Sequence, residues 1–166
     1  DRGEQRDTFV ALDGAFHGDT LGVTGLGGVA TVRRAFETCG VRCRHVPVPP
    51  RDDRGPAYAA AVAALLAAVG EIGDRLAGIV LEPLVQGAAG MRMYSPQYLR
   101  DVRRICDERG VPLIVDEVFT GFGRTGSMFA TEQAAIPIDI MCLAKGLSGG
   151  VLPFAATLVT EPLFEA

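Results

Sequence analysis

The sequence predicts an α/β domain, a mostly parallel sheet with helices on both faces. Three observations carry this prediction. Short apolar runs alternate along the chain with segments of helical periodicity. Several runs, such as residues 78–81 and 111–115, are apolar at consecutive positions, as strands covered on both faces are. Glu82, Asp116 and Lys145 each stand where such a run stops, the edge at which open parallel sheets collect their chemistry.

The elements follow in order. Residues 8–12 form an apolar run closed by Asp13-Gly14, a strand and a turn. A Gly-rich stretch to Gly28 precedes a strand over 41–48, which Pro49-Pro50 stops. The Ala-rich segment 57–69 spaces Val62, Leu65, Leu66 and Val69 as a helix does. Residues 78–81 read as a buried strand ending in Glu82-Pro83. The helix over 95–109 has the clearest boundaries. Ser95 can cap its free N–H groups, and Pro96 fits the first turn, where no N–H is needed. Leu99, Val102, Ile105 and Cys106 share its apolar face, Arg103, Arg104 and Arg109 suit the negative end of its dipole, and Gly110 stops it. Strands over 111–115, 140–144 and 154–159 follow, the first ending in Asp116-Glu117 and the second at Lys145.

Composition narrows the function classes. A length of 166 residues suits one domain, and 48% apolar with 22% charged residues is ordinary globular usage, not that of a disordered chain. Sixteen basic residues against twenty acidic ones give a net charge of −4, with no long basic block, so no nucleic-acid partner is expected. No uninterrupted apolar run reaches the roughly 18 residues of a membrane span, so no membrane association is expected. Cys39 and Cys43 form a C-x3-C pair with no histidine at zinc-finger spacing, while Cys106 and Cys142 fall inside predicted elements. Reduced, buried thiols and a cytoplasmic location are expected, with no metal site.

Asp116 and Lys145 are the sharpest chemical pair. Alone, a lysine after a strand is usually a solvated end-cap and an aspartate there a helix or turn cap. Lys145, however, follows apolar Met141-Cys142-Leu143-Ala144 and precedes Gly146, Gly149 and Gly150, which places its amine at the edge of a dry sheet. A desolvated lysine is a better nucleophile toward a carbonyl. A carboxylate on a neighbouring strand end could hold a protonated pyridine nitrogen, the pairing that pyridoxal phosphate chemistry uses.

Residues 116–126, Asp-Glu-Val-Phe-Thr-Gly-Phe-Gly-Arg-Thr-Gly, followed by Lys145-Gly146 29 positions after Asp116, resemble the core of the class III pyridoxal-phosphate aminotransferases. Glu82-Pro83-Leu84-Val85-Gln86-Gly87 resembles that family's strand-loop before the aspartate, and Phe16-His17-Gly18 its aromatic-His-Gly element. The stretch from Gln86 to Met91-Arg92-Met93-Tyr94 is similar to the biotin-synthesis branch, which moves an amino group from S-adenosylmethionine to 8-amino-7-oxononanoate. Ala88 stands where ornithine- or 4-aminobutyrate-type relatives commonly carry an acid, and Ala89 departs from the second glycine of both patterns.

The resemblance implies the major domain of fold type I and roles for named residues. Lys145 would bind the cofactor as a Schiff base and move the substrate proton. Asp116 would hold the pyridinium N–H. Phe16 would stack on one ring face, where many relatives have Tyr, and Val118 would press on the other, unless it is a plain core valine. His17 flanks the ring as a positioning or packing residue. Glu82 would orient the site or pair with a substrate-side arginine, or else cap its strand. Gln86 would lie near the phenolic oxygen, or else brace its loop. Arg124 would meet a substrate carboxylate, with a surface ion pair as its alternative. An amino donor, a keto acceptor and a homodimer are implied, and His45 has no visible partner.

Two competitors remain. Residues 121–126 spell G-x-G-x-x-G, but five residues separate them from the strand end at Val115 and no clear helix start follows, which argues against a dinucleotide turn. A non-catalytic piece is the other. The family's phosphate-holding Gly-Ser turn would precede Asp1, and its small domain with a carboxylate-binding arginine would follow Ala166. The 166 residues are therefore expected to be part of the cofactor-binding major domain. Alone, they are expected to bind pyridoxal phosphate weakly and to transaminate little.

Overall fold

The computed structural model describes residues 5–29 and 40–165, so Cys39 and the chain ends lie outside the described residues. Six strands form one sheet: β1 (Thr8–Leu12), β2 (Arg42–Val46), β3 (Leu76–Leu81), β6 (Leu113–Asp116), β7 (Ile140–Leu143) and β8 (Ala156–Val159). Their order is β2-β1-β3-β6-β7-β8; the first five run parallel and β8 runs antiparallel to β7. Two-residue strands β4 (Val85–Gln86) and β5 (Arg92–Met93) pair into a small hairpin beside it.

Two long helices cover the sheet. After the four-residue α1 (Leu21–Thr24), helix α2 (Pro56–Ile72) links β2 to β3, and α3 (Pro96–Arg109) links β3 to β6. Both crossovers step the same way along the sheet, so right-handed connections bring both helices to one face. These two helices pack against each other on that face. Tyr58 Oη donates to Asp101 Oδ2 at 2.5 Å between them, and Tyr58 and Tyr98 meet edge to face at 6.4 Å. Tyr98, Leu99, Val102, Ile105 and Cys106 of α3 pack with Leu65 and Val69 of α2 in the main core. Counting the 3-10 turn to Arg75, Pro56–Arg75 is long and apolar enough by length and composition to cross a membrane, which the search for uninterrupted apolar runs overlooked. Its buried face, Ala61, Leu65, Ala68 and Val69, belongs to the core.

Ser95 caps α3 as expected, accepting from Gln97 N at 3.1 Å, and Gly110 ends it at φ 59°. Arg103 departs from expectation. It is buried, not dipole-facing surface, and its guanidinium pairs with Asp139 and, at 2.8 Å, with Asp107. Asp139 also accepts from Leu113 N at 2.8 Å, so one carboxylate ties α3, the start of β6 and the entry to β7 together. His45 has a partner after all: its Nε2 lies 3.1 Å from the Leu26 carbonyl oxygen. The short helix α4 (Glu161–Phe164) ends the described chain.

Candidate active site

A cleft of about 350 Å³ opens at the carboxyl edge of the sheet. Phe16 follows β1, Glu82 follows β3, Asp116 ends β6 and Lys145 follows β7, so parallel pairing alone brings four distant segments to one rim. The Asp116–Cys142 register and the bond from Glu117 N to Cys142 O at 3.0 Å fix the last two strands against each other.

Asp116 is buried, and both its oxygens are engaged. Oδ1 accepts from Val118 N at 3.1 Å, and Oδ2 lies 2.9 Å from His17 Nδ1. A carboxylate only accepts, so the geometry assigns the proton to Nδ1 and leaves Nε2 as the other ring nitrogen. Nε2 is buried without a partner among the described residues, and the His17 side chain is 4% exposed. Sequence reading placed His17 beside the stacking ring; the structure couples it to Asp116.

Glu82, 4% exposed, lines the cleft. Its Oε2 accepts from Phe16 N at 3.2 Å and its Oε1 from Gly87 N at 3.0 Å, binding the aromatic loop to the Gly-rich turn. Burial pushes its carboxyl pKa above the usual range, with those two N–H donors pulling the other way. The contacts described for its carboxylate are these backbone donors, not an arginine.

Lys145 reaches the same cleft and is exposed among the described residues. In the apolar run before it Leu143 is buried, while Met141, Cys142 and Ala144 are half-buried. Its backbone sits at φ 42°, a left-handed conformation that costs a residue with a Cβ about 1–2 kcal/mol. The 3-10 turn Lys145–Leu147 holds it there, with Leu147 N donating to Ala144 O at 3.0 Å. Strain of this kind is stored where a side chain must point one way. Lys145 is also the only lysine of the 166 residues, a sign that could have been read from the sequence.

Other expectations fall differently. Phe16 and Val118 line the cleft. Gln86 does not: it is fully buried, and its Nε2 donates to Asp13 O at 3.1 Å, so it braces the turn after β1. Arg124 lines a neighbouring cavity, and its Cζ stands 4.7 Å from the centre of the Phe119 ring. Phe119 itself was missed. Its ring lines the cleft, carries Lys145 Nζ at 5.7 Å, and presses on Gly87, where a Cβ would stand 3.0 Å from ring carbon Cγ. Glu117 was also missed as a structural carboxylate; fully buried, it accepts from Thr120 Oγ1, Ala130 N, Thr131 N and Thr131 Oγ1. After the G-x-G-x-x-G stretch comes a 3-10 turn (Ala130–Ala134), not the α-helix of a dinucleotide site.

The sequence profile of aminotransferase class-III matches residues 1–166. The chain belongs to the class-III aminotransferases. It is 42% identical over 168 aligned residues to an adenosylmethionine-8-amino-7-oxononanoate aminotransferase of Nitratidesulfovibrio vulgaris, a match covering 97% of this chain and 31% of that protein. A solved adenosylmethionine-8-amino-7-oxononanoate aminotransferase from Methanocaldococcus jannaschii is 33% identical with a TM-score of 0.85, over 99% of this chain and 37% of that one. An amine transaminase from an uncultivated Pseudomonas species, solved in its PLP-bound form, is 31% identical with a TM-score of 0.86, over 95% and 37%. This class-III chain thus spans about a third of the length of these relatives.

Proposed function

We propose that this chain is the cofactor-binding major-domain part of an aminotransferase that moves an amino group from S-adenosylmethionine to 8-amino-7-oxononanoate, giving 7,8-diaminononanoate in biotin synthesis. The 42% identity to such an enzyme, running over 97% of the chain, carries the reading. The segment Met91-Arg92-Met93-Tyr94 supports it from within the sequence. Free thiols at Cys106 and Cys142 suit a cytoplasmic enzyme, and family resemblance suggests a homodimer.

The cleft residues fit pyridoxal phosphate. A buried carboxylate, an exposed amine and an aromatic side chain border one 350 Å³ space. When bound, the cofactor supplies an electron sink for the substrate's carbon. Asp116 is suited to accept the ring N–H as an anion, and Val118 N and His17 Nδ1 hold its carboxylate in one orientation. Phe16 offers a stacking face at a height set by the Glu82 bond to its amide. Val118 presses from its place beside Asp116. Lys145 Nζ would hold the cofactor and would carry a proton between the substrate carbon and a carbon of the cofactor. Glu82 keeps Phe16 and Gly87 in register, and Arg124 stands ready for a substrate carboxylate beyond the Phe119 ring.

The test is an assay of the full-length protein with S-adenosylmethionine and 8-amino-7-oxononanoate. Formation of 7,8-diaminononanoate is expected. A second reading has its own support in the 31% identity to the amine transaminase. Turnover with ornithine, 4-aminobutyrate or a simple amine, and none with S-adenosylmethionine, would establish that reading instead.

A further inference from the structure

The G-x-G-x-x-G stretch at residues 121–126 is no dinucleotide turn, yet its backbone is strained at one telling position. Phe122 stands between Gly121 and Gly123 and adopts φ 61°, a left-handed conformation that a side chain disfavours and glycine accepts freely. The loop holds it there. Gly121 N donates to Glu117 O at 2.9 Å, Gly123 N donates to Met128 O at 3.3 Å, and the Phe122 ring meets Phe129 at 5.7 Å. From that place the Phe122 side chain lies on the Lys145 turn. A Cβ at Gly146 would stand 2.7 Å from Phe122 Cβ, and 2.9 and 3.0 Å from its ring carbons Cδ2 and Cγ. Lys145 itself sits at φ 42° in an exposed turn. Leu147 N closes that turn on Ala144 O at 3.0 Å, while Ser148 N and Gly149 N make bonds of 3.3 Å. Phe119, from the same loop, has its ring centre 5.7 Å from Lys145 Nζ.

A left-handed residue with a Cβ persists only where its surroundings hold it. Here one loop meets the turn twice, at the backbone through Phe122 and at the amine through Phe119. We propose that Phe122 is the positioning residue of Lys145. Its side chain braces Gly146, keeps the turn left-handed at Lys145 and so keeps the amine aimed into the cleft. The proposal rests on the reading of Lys145 as the amine that meets the cofactor. Without the brace the turn relaxes from a conformation disfavoured by a factor of about 5 to 30.

The full-length protein without cofactor gives the first readout. Lys145 is the only lysine of the 166 residues, so a lysine-specific protease cuts this region only after it. Phe122→Gly suits φ 61° and should speed that cut about 5- to 30-fold. Urea unfolding measures any global loss of stability separately. With pyridoxal phosphate added, the rate of forming the borohydride-trapped Lys145 adduct should fall by the same factor. Gly146→Ala tests the contact itself. Against Phe122 it clashes and should slow trapping about fivefold, whereas combined with Phe122→Gly it should change trapping less than about twofold. If Phe122→Gly does not fold, Phe122→Leu keeps the Cβ and loses the ring, and should speed the cut about threefold. Wild-type cleavage and trapping in the Phe122 variant that folds would overturn the proposal, as would full additivity of Phe122→Gly and Gly146→Ala. Absence of any Lys145 adduct in the wild type would overturn the reading of Lys145 and, with it, the role of Phe122 toward the cofactor.

Discussion

Glu117 offers the most quantitative prediction. It is fully buried, immediately after Asp116, and four donors converge on it. Thr120 Oγ1 and Ala130 N, the latter at 3.1 Å, bond Oε2; Thr131 N at 2.9 Å and Thr131 Oγ1 at 3.0 Å bond Oε1. The carboxylate therefore closes the 117–131 loop onto itself and carries Phe119 with it. In Glu117→Gln, one oxygen still accepts two bonds, and the new amide N–H groups can donate to whichever threonine hydroxyl rotates to accept. One backbone N–H, that of Ala130 or Thr131, then faces an amide donor and is orphaned, a loss of about 1–3 kcal/mol. In Glu117→Ala both backbone N–H groups lose their acceptor and a cavity opens, together about 3–5 kcal/mol. Urea unfolding of wild type and both variants, read by far-UV circular dichroism, gives the three free energies. The expected order is wild type, then Gln, then Ala, with Ala about twice as damaging as Gln at the middle of the two ranges. Equal losses, or an Ala loss under about 1 kcal/mol, would refute the four-donor account.

Two further predictions concern the rim of the cleft. A Cβ at Gly146 would stand 2.7 Å from Phe122 Cβ, so Gly146→Ala should displace the Lys145 turn and weaken pyridoxal phosphate binding, measured by absorbance titration. Gly149→Ala meets open space and bears only the left-handed backbone penalty of about 1 kcal/mol, so its binding should stay near wild type. Matching affinities in the two variants would contradict this. For Glu82, burial raises the pKa above its ordinary 4.5. An acid with a raised folded pKa holds its proton more tightly folded than unfolded. Its stability contribution is therefore full below 4.5 and lost as pH rises through the folded value. Measured against Glu82→Gln, whose amide does not titrate, wild-type unfolding free energy should fall relative to the variant as pH climbs past 4.5. A flat or rising difference would refute the direction.

Much of the fold was legible because its signals are local. Residues 8–12 were read as a strand with their observed bounds, and Ser95, Pro96 and Gly110 marked the ends of α3. The strand over 41–48 shortened to Arg42–Val46 and that over 154–159 to Ala156–Val159, since pairing, not apolarity, sets strand ends. The antiparallel direction of β8 left no trace, because strand direction is decided by the partner across the ladder. In the site, strand-end placement singled out Glu82, Asp116 and Lys145, and the structure brings all three to one cleft. What escaped depends on side-chain direction in space. Gln86 points to Asp13 instead of the cleft, and His17 reaches Asp116 from 99 positions away. Phe119 matters through its contacts with Gly87 and Lys145, and no spacing rule connects those positions.

Lys145 is the amine we propose to meet the cofactor. Reduction of the full-length protein with borohydride after addition of pyridoxal phosphate, followed by peptide mass mapping, tests it most directly. A stable adduct is expected on the peptide that holds Lys145, and its loss is expected in Lys145→Ala. An adduct that maps elsewhere, or that persists at wild-type yield in Lys145→Ala, would contradict it.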